Sequence, residues 1–475
     1  MGVHMFRTLH RPGLVGALAL ALGAGLVAAV PAQAAGNAAA DQAPKKVISA
    51  YFADWDVYGR GYFVKDIPAD KLNVIQYAFG VPTFDSATGA VGCGVLDPWA
   101  DFQQVYWGPE NTVDGVADNF PDQRLYGNFN QLRKLKAANP HLKIEISLGG
   151  WTKSTWFSSV AATTERRQAF VAACIDSFIK GNLPTGGWPE NAGGIGAAAG
   201  IFDGIDLDWE YPTQKADSNV DYGPADRHNA TLLAKEFRRQ LDAQGAADGK
   251  HYLLTAALPA AKSSTKYYEL RDFAKSMDWV NIMTYDFNVP GGSVAGPSTL
   301  FGRDPRDPQA DDLTWNTAGT VAYYLLNGVP ANKIVVGVPF YGVQYVRNPG
   351  GLYGPFDNTG LDPEAANWDA KPQPSYHDLV DVAGVVTAGG VGQGGYTRKW
   401  NPFAGEPYLV NPAAVHTLGG EPVTAPTTIV YSDPKSIAER TVMIKVLGLR
   451  GAMAWELSQD SNDHALIGAL GPVLN

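Results

Sequence analysis

Residues 202–212 read FDGIDLDWEYP, and they set Asp206, Asp208 and Glu210 at every second position of an otherwise apolar, aromatic run. In an extended strand, alternate side chains share a face. The three carboxyl groups therefore point one way, and Ile205, Leu207 and Trp209 point the other, onto an apolar layer. A face crowded with acids makes a poor core. Like charges this close cannot all ionise cheaply, so at least one acid is expected to hold its proton near neutral pH. A proton-holding acid beside ionised neighbours is what cleavage of a glycosidic bond needs. A solvent-facing strand would not place Ile, Leu and Trp between its acids. A divalent-cation site would need a turn-rich, glycine-containing loop with further oxygen ligands, so no metal is expected here. Asp203 has the opposite parity and is expected to be structural, at the strand entrance.

Outward from this stretch, short apolar runs alternate with longer amphipathic ones. The runs cover 47–52, 74–79, 143–149, 202–210, 253–258, 279–285, 334–341 and 451–457. Helical patterns lie between them at 129–138, 165–180, 230–243 and 433–448. Eight buried strands separated by helices predict an α/β fold with a parallel sheet closed as a (β/α)8 TIM barrel. An open doubly wound sheet is the alternative, but the glycine-rich phosphate loop it usually carries is missing. Barrel chemistry gathers at the carboxyl ends of the strands. Glu210 is expected to be the last residue of its strand, at the mouth, because Tyr211-Pro212 makes continuation difficult.

The gap between residues 341 and 451 is longer than one helix needs. Residues 344–425 are rich in Gly, Pro and aromatics and predict an α+β insertion between the seventh strand and its helix. The barrel is then expected over 46–343 and 426–475. Residues 1–34 have Arg7 and Arg11, an apolar stretch over 14–30 and Ala32-Gln33-Ala34, the pattern of a cleaved export signal. A short polar tether over 35–45 follows. The mature chain is expected to be secreted, with no membrane partner.

Composition is that of a globular chain, neither disordered nor fibrous, at 45% hydrophobic and 18% charged residues. A net charge of −10 argues against nucleic acid and suits a neutral polymer. Most of the 12 Trp and 21 Tyr are expected in the core, and a sugar-binding cleft would use several as stacking platforms. The two cysteines, Cys93 and Cys174, are expected to remain unpaired thiols, with Cys174 buried. A domain this large does not need a disulfide.

Other strand ends add Ser147 in SLGGW, Thr284-Tyr285-Asp286 in NIMTYDF and Trp455 in GAMAWE. Gly149 and Gly150 are expected to let the backbone approach a ligand closely. With DGIDLDWEYP (203–212), GVPFYG (337–342) and the insertion, these motifs resemble glycoside hydrolase family 18, the chitinase family, over nearly the whole chain after residue 34. The resemblance implies that Glu210 protonates the glycosidic oxygen and that the sugar's own 2-acetamido oxygen is the nucleophile. It implies that Asp208 orients the acetamido group, that Asp206 shares a proton with Asp208, and that Tyr285 hydrogen-bonds the acetamido oxygen. Asp286 and Met283 would shape that pocket, Trp455 would floor it, and Tyr51 and Ser147 would support Asp206. Phe79, Trp151 and Tyr341 are further candidates to line the cleft. The implied partner is chitin or its oligosaccharides, bound by a monomer that needs no cofactor.

Three departures from the family's pattern stand out. Val343 occupies the place of an Arg, which Arg347 is expected to replace. Lys153 occupies the place of a Trp, with Trp156 nearby. Residues 289–292 read VPGG where a Gly-x-Trp is usual, so an acceptor-side platform is expected to be missing or relocated. An endo-β-N-acetylglucosaminidase acting on N-glycans and a non-catalytic chitin-binding lectin share the motif's scaffold. The glutamate at 210 argues against the lectin.

Overall fold

Strands occupy all eight runs. The computed structural model describes residues 42–474, apart from 216, 218 and 220. The expected export signal and most of the tether lie outside the described residues. The barrel strands are β1 (Val47–Ala53), β2 (Val74–Phe84), β4 (Lys143–Gly149), β5 (Gly204–Asp208), β6 (Leu253–Pro259), β7 (Trp279–Met283), β8 (Ile334–Pro339) and β13 (Gly451–Trp455). They pair in the order β1-β13-β8-β7-β6-β5-β4-β2, all parallel, and the β1–β2 pairing closes the ring. Closure leaves no barrel edge open.

Crossover helices are α1 (Gly127–Ala138), α2 (Thr164–Cys174), α3 (Asp226–Asp248), α4 (Leu270–Ser276), α5 (Thr317–Leu326) and α6 (Pro434–Val446). Three of them, α2, α5 and α6, start on a side chain that accepts from a free N–H group. Asn316 caps α5 by accepting from Gly319 N at 2.8 Å, and Asp433 caps α6 by accepting from Ser436 N at 2.9 Å, with Pro434 next.

Strand parity divides the interior in two. Ile48, Ile75, Ile146, Leu207 and Val336 face the helices, in one large apolar layer. Val47, Tyr51, Trp279, Val335 and Met453 face the barrel axis. Between the latter lies a buried polar band of Ser49, Gln76, Glu145, Asp206, Thr255 and Asn281. That band carries the acids of β5.

Three expectations need correction. β5 ends at Asp208, so Glu210 stands two residues beyond its strand. The α+β insertion is present but ends later than expected, because its antiparallel sheet consists of β9 (Val343–Tyr345), β10 (Thr397–Asn401), β11 (Glu406–Leu418) and β12 (Glu421–Val430), in the order β10-β11-β12-β9. Its helical pieces among the described residues are short turns at Trp368–Ala370 and Asp378–Val382. The expected boundary at 425 therefore falls inside β12. Pro426 hid that strand, because proline donates no ladder bond, but it lies where the register shifts between Asn411 and Ala414 of β11.

The third correction concerns the cysteines, which form a disulfide. A further strand, β3 (Val91–Val95), pairs antiparallel with the far end of β2 and packs on α2. It brings Cys93 to a Cα separation of 4.9 Å from Cys174 at the end of that helix. Nothing in the apolar pattern of the sequence announced β3. Among the described residues, no helix is long and apolar enough to cross a membrane.

Candidate active site

The inward face of β5 sets Asp206 lowest and Asp208 next, and Glu210 follows two residues beyond the strand, at the rim. Asp206 lies beside Ser147 on β4 and Thr255 on β6 in the strand register. Its Oδ2 accepts from Tyr51 and Ser147, each at 2.8 Å, and its Oδ1 from Thr255 at 2.6 Å and Asn281 at 3.3 Å. Burial raises its pKa, and these four donors pull it back. Asp208 has no such help. It is buried, its Oδ1 has no hydrogen-bond partner, and its pKa is raised well above the usual range by burial, then by the charges of Glu210 and Asp206.

Glu210 is 8% exposed, and burial pushes its pKa up to about 7. A hydrogen bond from Tyr211 opposes the rise and the charge of Asp286 adds to it. The acid therefore carries a proton through a large part of the neutral range. The alternating spacing produced the close, partly protonated row that the sequence predicted.

A cavity of about 600 Å³ opens over these acids. Asp208, Glu210, Tyr285, Asp286, Met283, Trp455, Tyr51, Phe79, Trp151 and Tyr341 all line it. Asp206 and Ser147 lie beneath, hydrogen-bonded to each other, and neither lines the cavity. Trp455 stacks on Phe79 with ring centroids 6.0 Å apart and leans on Tyr51 at 5.1 Å, which fixes the indole as a floor. Asp286 stands at the wall, accepting from Tyr341 Oη at 2.6 Å and from Ser298 Oγ at 3.4 Å. Tyr285 Oη has Met453 Sδ at 3.9 Å, a weak acceptor that leaves the hydroxyl free to turn. Asp203 is structural, accepting from Ile144 N at 2.9 Å and pairing with Lys136 at 2.7 Å.

Gly149 and Gly150 serve the protein itself. Both have positive φ, and an added Cβ would stand 2.4 Å from the Asp208 carbonyl oxygen at 149 or 2.5 Å from the Phe79 ring at 150. The expected close approach is thus to β5 and to the cavity wall. Ser154, which the sequence reading missed, locks the same junction. Its hydroxyl is shared between the carbonyls of Gly150 (2.9 Å) and Asp208 (3.1 Å), and it accepts the Glu210 N–H at 3.0 Å. No spacing rule marks it.

The departures resolve locally. Val343 is buried in the apolar cluster of the insertion sheet. Arg347 does not replace the family's Arg at the cleft: it binds Asp357 and Thr359 away from the cavity, because its backbone turns at φ 49°. Trp156 packs on Phe84 at 5.8 Å and also stays outside the cavity. On the side of residues 289–292, Trp315 lines the cavity edge-on to Phe287 at 5.5 Å, and Trp55 lines it next to Phe79 at 6.0 Å. Trp55 comes from a short helical turn (Asp54–Val57) and Trp315 from a loop, and no motif flags either.

Comparison with known proteins agrees with this arrangement. Chitinase A1 of Niallia circulans is 35% identical over 463 residues, covering 91% of this chain and 59% of that protein; the chain thus spans less than two thirds of that relative. Among solved structures, the catalytic domain of psychrophilic chitinase B from Arthrobacter TAD20 superposes with a TM-score of 0.77 at 32% identity, covering 90% of this chain and 95% of that one. Chitinase ChiA74 from Bacillus thuringiensis gives 0.71 at 31% identity, with 90% and 69% covered. Residues 47–460 match the glycosyl hydrolases family 18, and a match over that span, on a closed barrel with this acid row at its mouth, means that the chain belongs to that family.

Proposed function

We propose that this chain is a secreted chitinase that hydrolyses β-1,4 bonds between N-acetylglucosamine units with retention of configuration. The observation that carries this reading is the pair formed by Glu210, with its pKa near 7, and Asp208, with its unpartnered oxygen, on one cavity wall. Glu210 gives its proton to the glycosidic oxygen as the C1–O4 bond breaks. The 2-acetamido oxygen of the same sugar closes on C1, forming an oxazolinium ion. Asp208 accepts the amide N–H, and the negative charge it shares with Asp206 offsets the positive charge that develops there. This interaction strengthens towards the transition state, which is why it accelerates the step. Tyr285 donates to the acetamido oxygen, and Trp455 supports the sugar ring. Water then opens the ion at C1 and returns a proton to Glu210. The nucleophile belongs to the substrate, so the spacing rule for two carboxylates does not apply.

A polymeric substrate is supported by rings outside the cavity. Trp99, Trp107, Phe120 and Trp188 are exposed yet mutually packed, with centroids 5.9 Å apart for Trp99–Trp188 and 5.2 Å for Trp107–Phe120. Export is supported by the disulfide, which persists in oxidising compartments.

The test is hydrolysis of a defined chitin hexamer, with the anomeric form of the first product followed by NMR. Excess β-anomer is expected, and an excess of α-anomer would overturn the mechanism. Glu210→Gln is expected to lose about 10²–10⁴-fold in kcat while still binding the oligomer. Release of glycans from a glycoprotein without hexamer cleavage would assign the substrate to N-glycans instead.

A further inference from the structure

One acid in the barrel takes no part in the chemistry proposed above. Glu145 lies on β4, two residues before Ser147, and is 0% exposed. Its Oε1 is 3.0 Å from Thr255 Oγ1, and that hydroxyl is 2.6 Å from Asp206 Oδ1. A threonine hydroxyl carries a single hydrogen. With that hydrogen on the nearer Asp206 Oδ1, the hydroxyl meets Glu145 Oε1 as an acceptor, a contact that is favourable when Glu145 holds a proton and donates to it. Asp206 has three other donors, Tyr51, Ser147 and Asn281, which stabilise its charge. Glu145 has none, and its Oε2 is buried without a partner. The proton therefore belongs on Glu145.

The groups around it agree. Asp206 on β5, Asp278 just before β7 and Asp203 just before β5 surround Glu145 with negative charge. Asp203 is paired with Lys136 at 2.7 Å, and Asp278 with Arg238 at 3.3 Å and His251 at 2.8 Å. Among the described residues, no ion pair reaches Glu145. β2 contributes the neutral amide of Gln76 at the matching register position, and β1 contributes Ser49. Burial first, then the charge of Asp206, pushes the Glu145 pKa well up.

We propose that Glu145 is a positioning residue, a neutral acid that donates to Thr255 and thereby turns the threonine hydroxyl onto Asp206. The protons run in one direction, from Glu145 Oε1–H to Thr255 Oγ1 and from Thr255 Oγ1–H to Asp206 Oδ1. A hydroxyl that accepts a hydrogen bond donates a stronger one. Glu145 thus lowers the proton affinity of Asp206 and keeps it ionised, and the charge held there favours the proton on Asp208 above it. The activity readout of this proposal rests on the reading of Glu210 given above; the spectroscopic readout does not.

Two variants of the full chain test it. Glu145→Gln keeps a donor for Thr255, and Glu145→Leu removes it. In the infrared difference between wild type and Glu145→Gln at pH 7, the carbonyl stretch of a protonated carboxylic acid is expected from the wild type. A carboxylate band in its place would overturn the proposal whether or not the protein cleaves chitin. In kcat/KM against pH on a soluble chitooligosaccharide, Glu145→Gln is expected to keep the acid limb in place. Glu145→Leu is expected to raise that limb by about half a pH unit, with KM little changed. A shift to lower pH in both variants would mean an ionised Glu145, and an unmoved limb in both would mean no role; either result overturns the assignment.

Discussion

Glu210 links pH to both activity and stability. Its folded pKa of about 7 lies above the ordinary value of 4.5 because burial and the charge of Asp286 disfavour the ionised form. The protonated form is the acid, so kcat/KM should fall as pH rises through about 7. The stability sign follows from proton counts. Between 4.5 and 7 the folded chain holds a proton that the unfolded chain has lost, so stability is full below 4.5 and drains away up to 7. At roughly 1.4 kcal/mol per pKa unit, the loss is on the order of 3 kcal/mol. Glu210→Gln removes this cost, so its Tm relative to wild type should climb from pH 4.5 to 7.5; a constant difference would contradict the raised pKa. Ser154→Ala tests the junction beneath. It leaves the buried Glu210 N–H without a partner, at a cost of about 1–3 kcal/mol in denaturant unfolding. It should also lower kcat more than it changes KM, because the acid loses its fixed place.

The β3–α2 contact is where strand, helix and covalent chemistry meet. The disulfide spans 81 residues, including α1, β4 and α2. Chain-entropy reasoning assigns such a closure a cost of removal of about 2–5 kcal/mol. Cys174→Ser, or reduction, should lower the unfolding midpoint accordingly, while hydrolysis at low temperature persists, since neither sulfur lines the cavity. Loss of activity without loss of stability would point to a different role. At this level the sequence was readable where period and composition agreed. The barrel strands are continuous apolar runs, and α3 and α6 fall on the expected helical stretches. It was unreadable where a five-residue strand of Val, Gly and Cys depends on a neighbour for its ladder, as β3 depends on β2.

The insertion is tied to the barrel by a buried ion pair. Arg440 on α6 reaches Glu406 on β11 at 2.6 Å, with side chains 1% and 3% exposed, and Arg440 also donates to Thr299 Oγ1 at 2.9 Å. Burial raises the Glu406 pKa to about 8 against the pull of Arg440, so the pair is fully ionised only above that pH. There Glu406→Ala, which leaves a buried guanidinium without its counter-charge, should cost about 3–5 kcal/mol. The double variant with Arg440→Met should recover a large part of that loss. If the single and double variants were equally destabilised, the pair would not be what joins the two parts.

Order along one strand, with apolar side chains at odd positions and acids at even ones, was enough to state the acid row, the barrel face that carries it and the chemistry of a proton held among like charges. Those properties are local, because the period of an extended chain places alternate side chains together without help from elsewhere. Thr255, Asn281, Ser154, Trp55 and Trp315, the Cys93–Cys174 bond and the true end of the insertion became visible in the folded chain alone. Each depends on segments tens of residues apart meeting at one point, and the distance between such segments is set by barrel closure and loop packing, which no local pattern encodes.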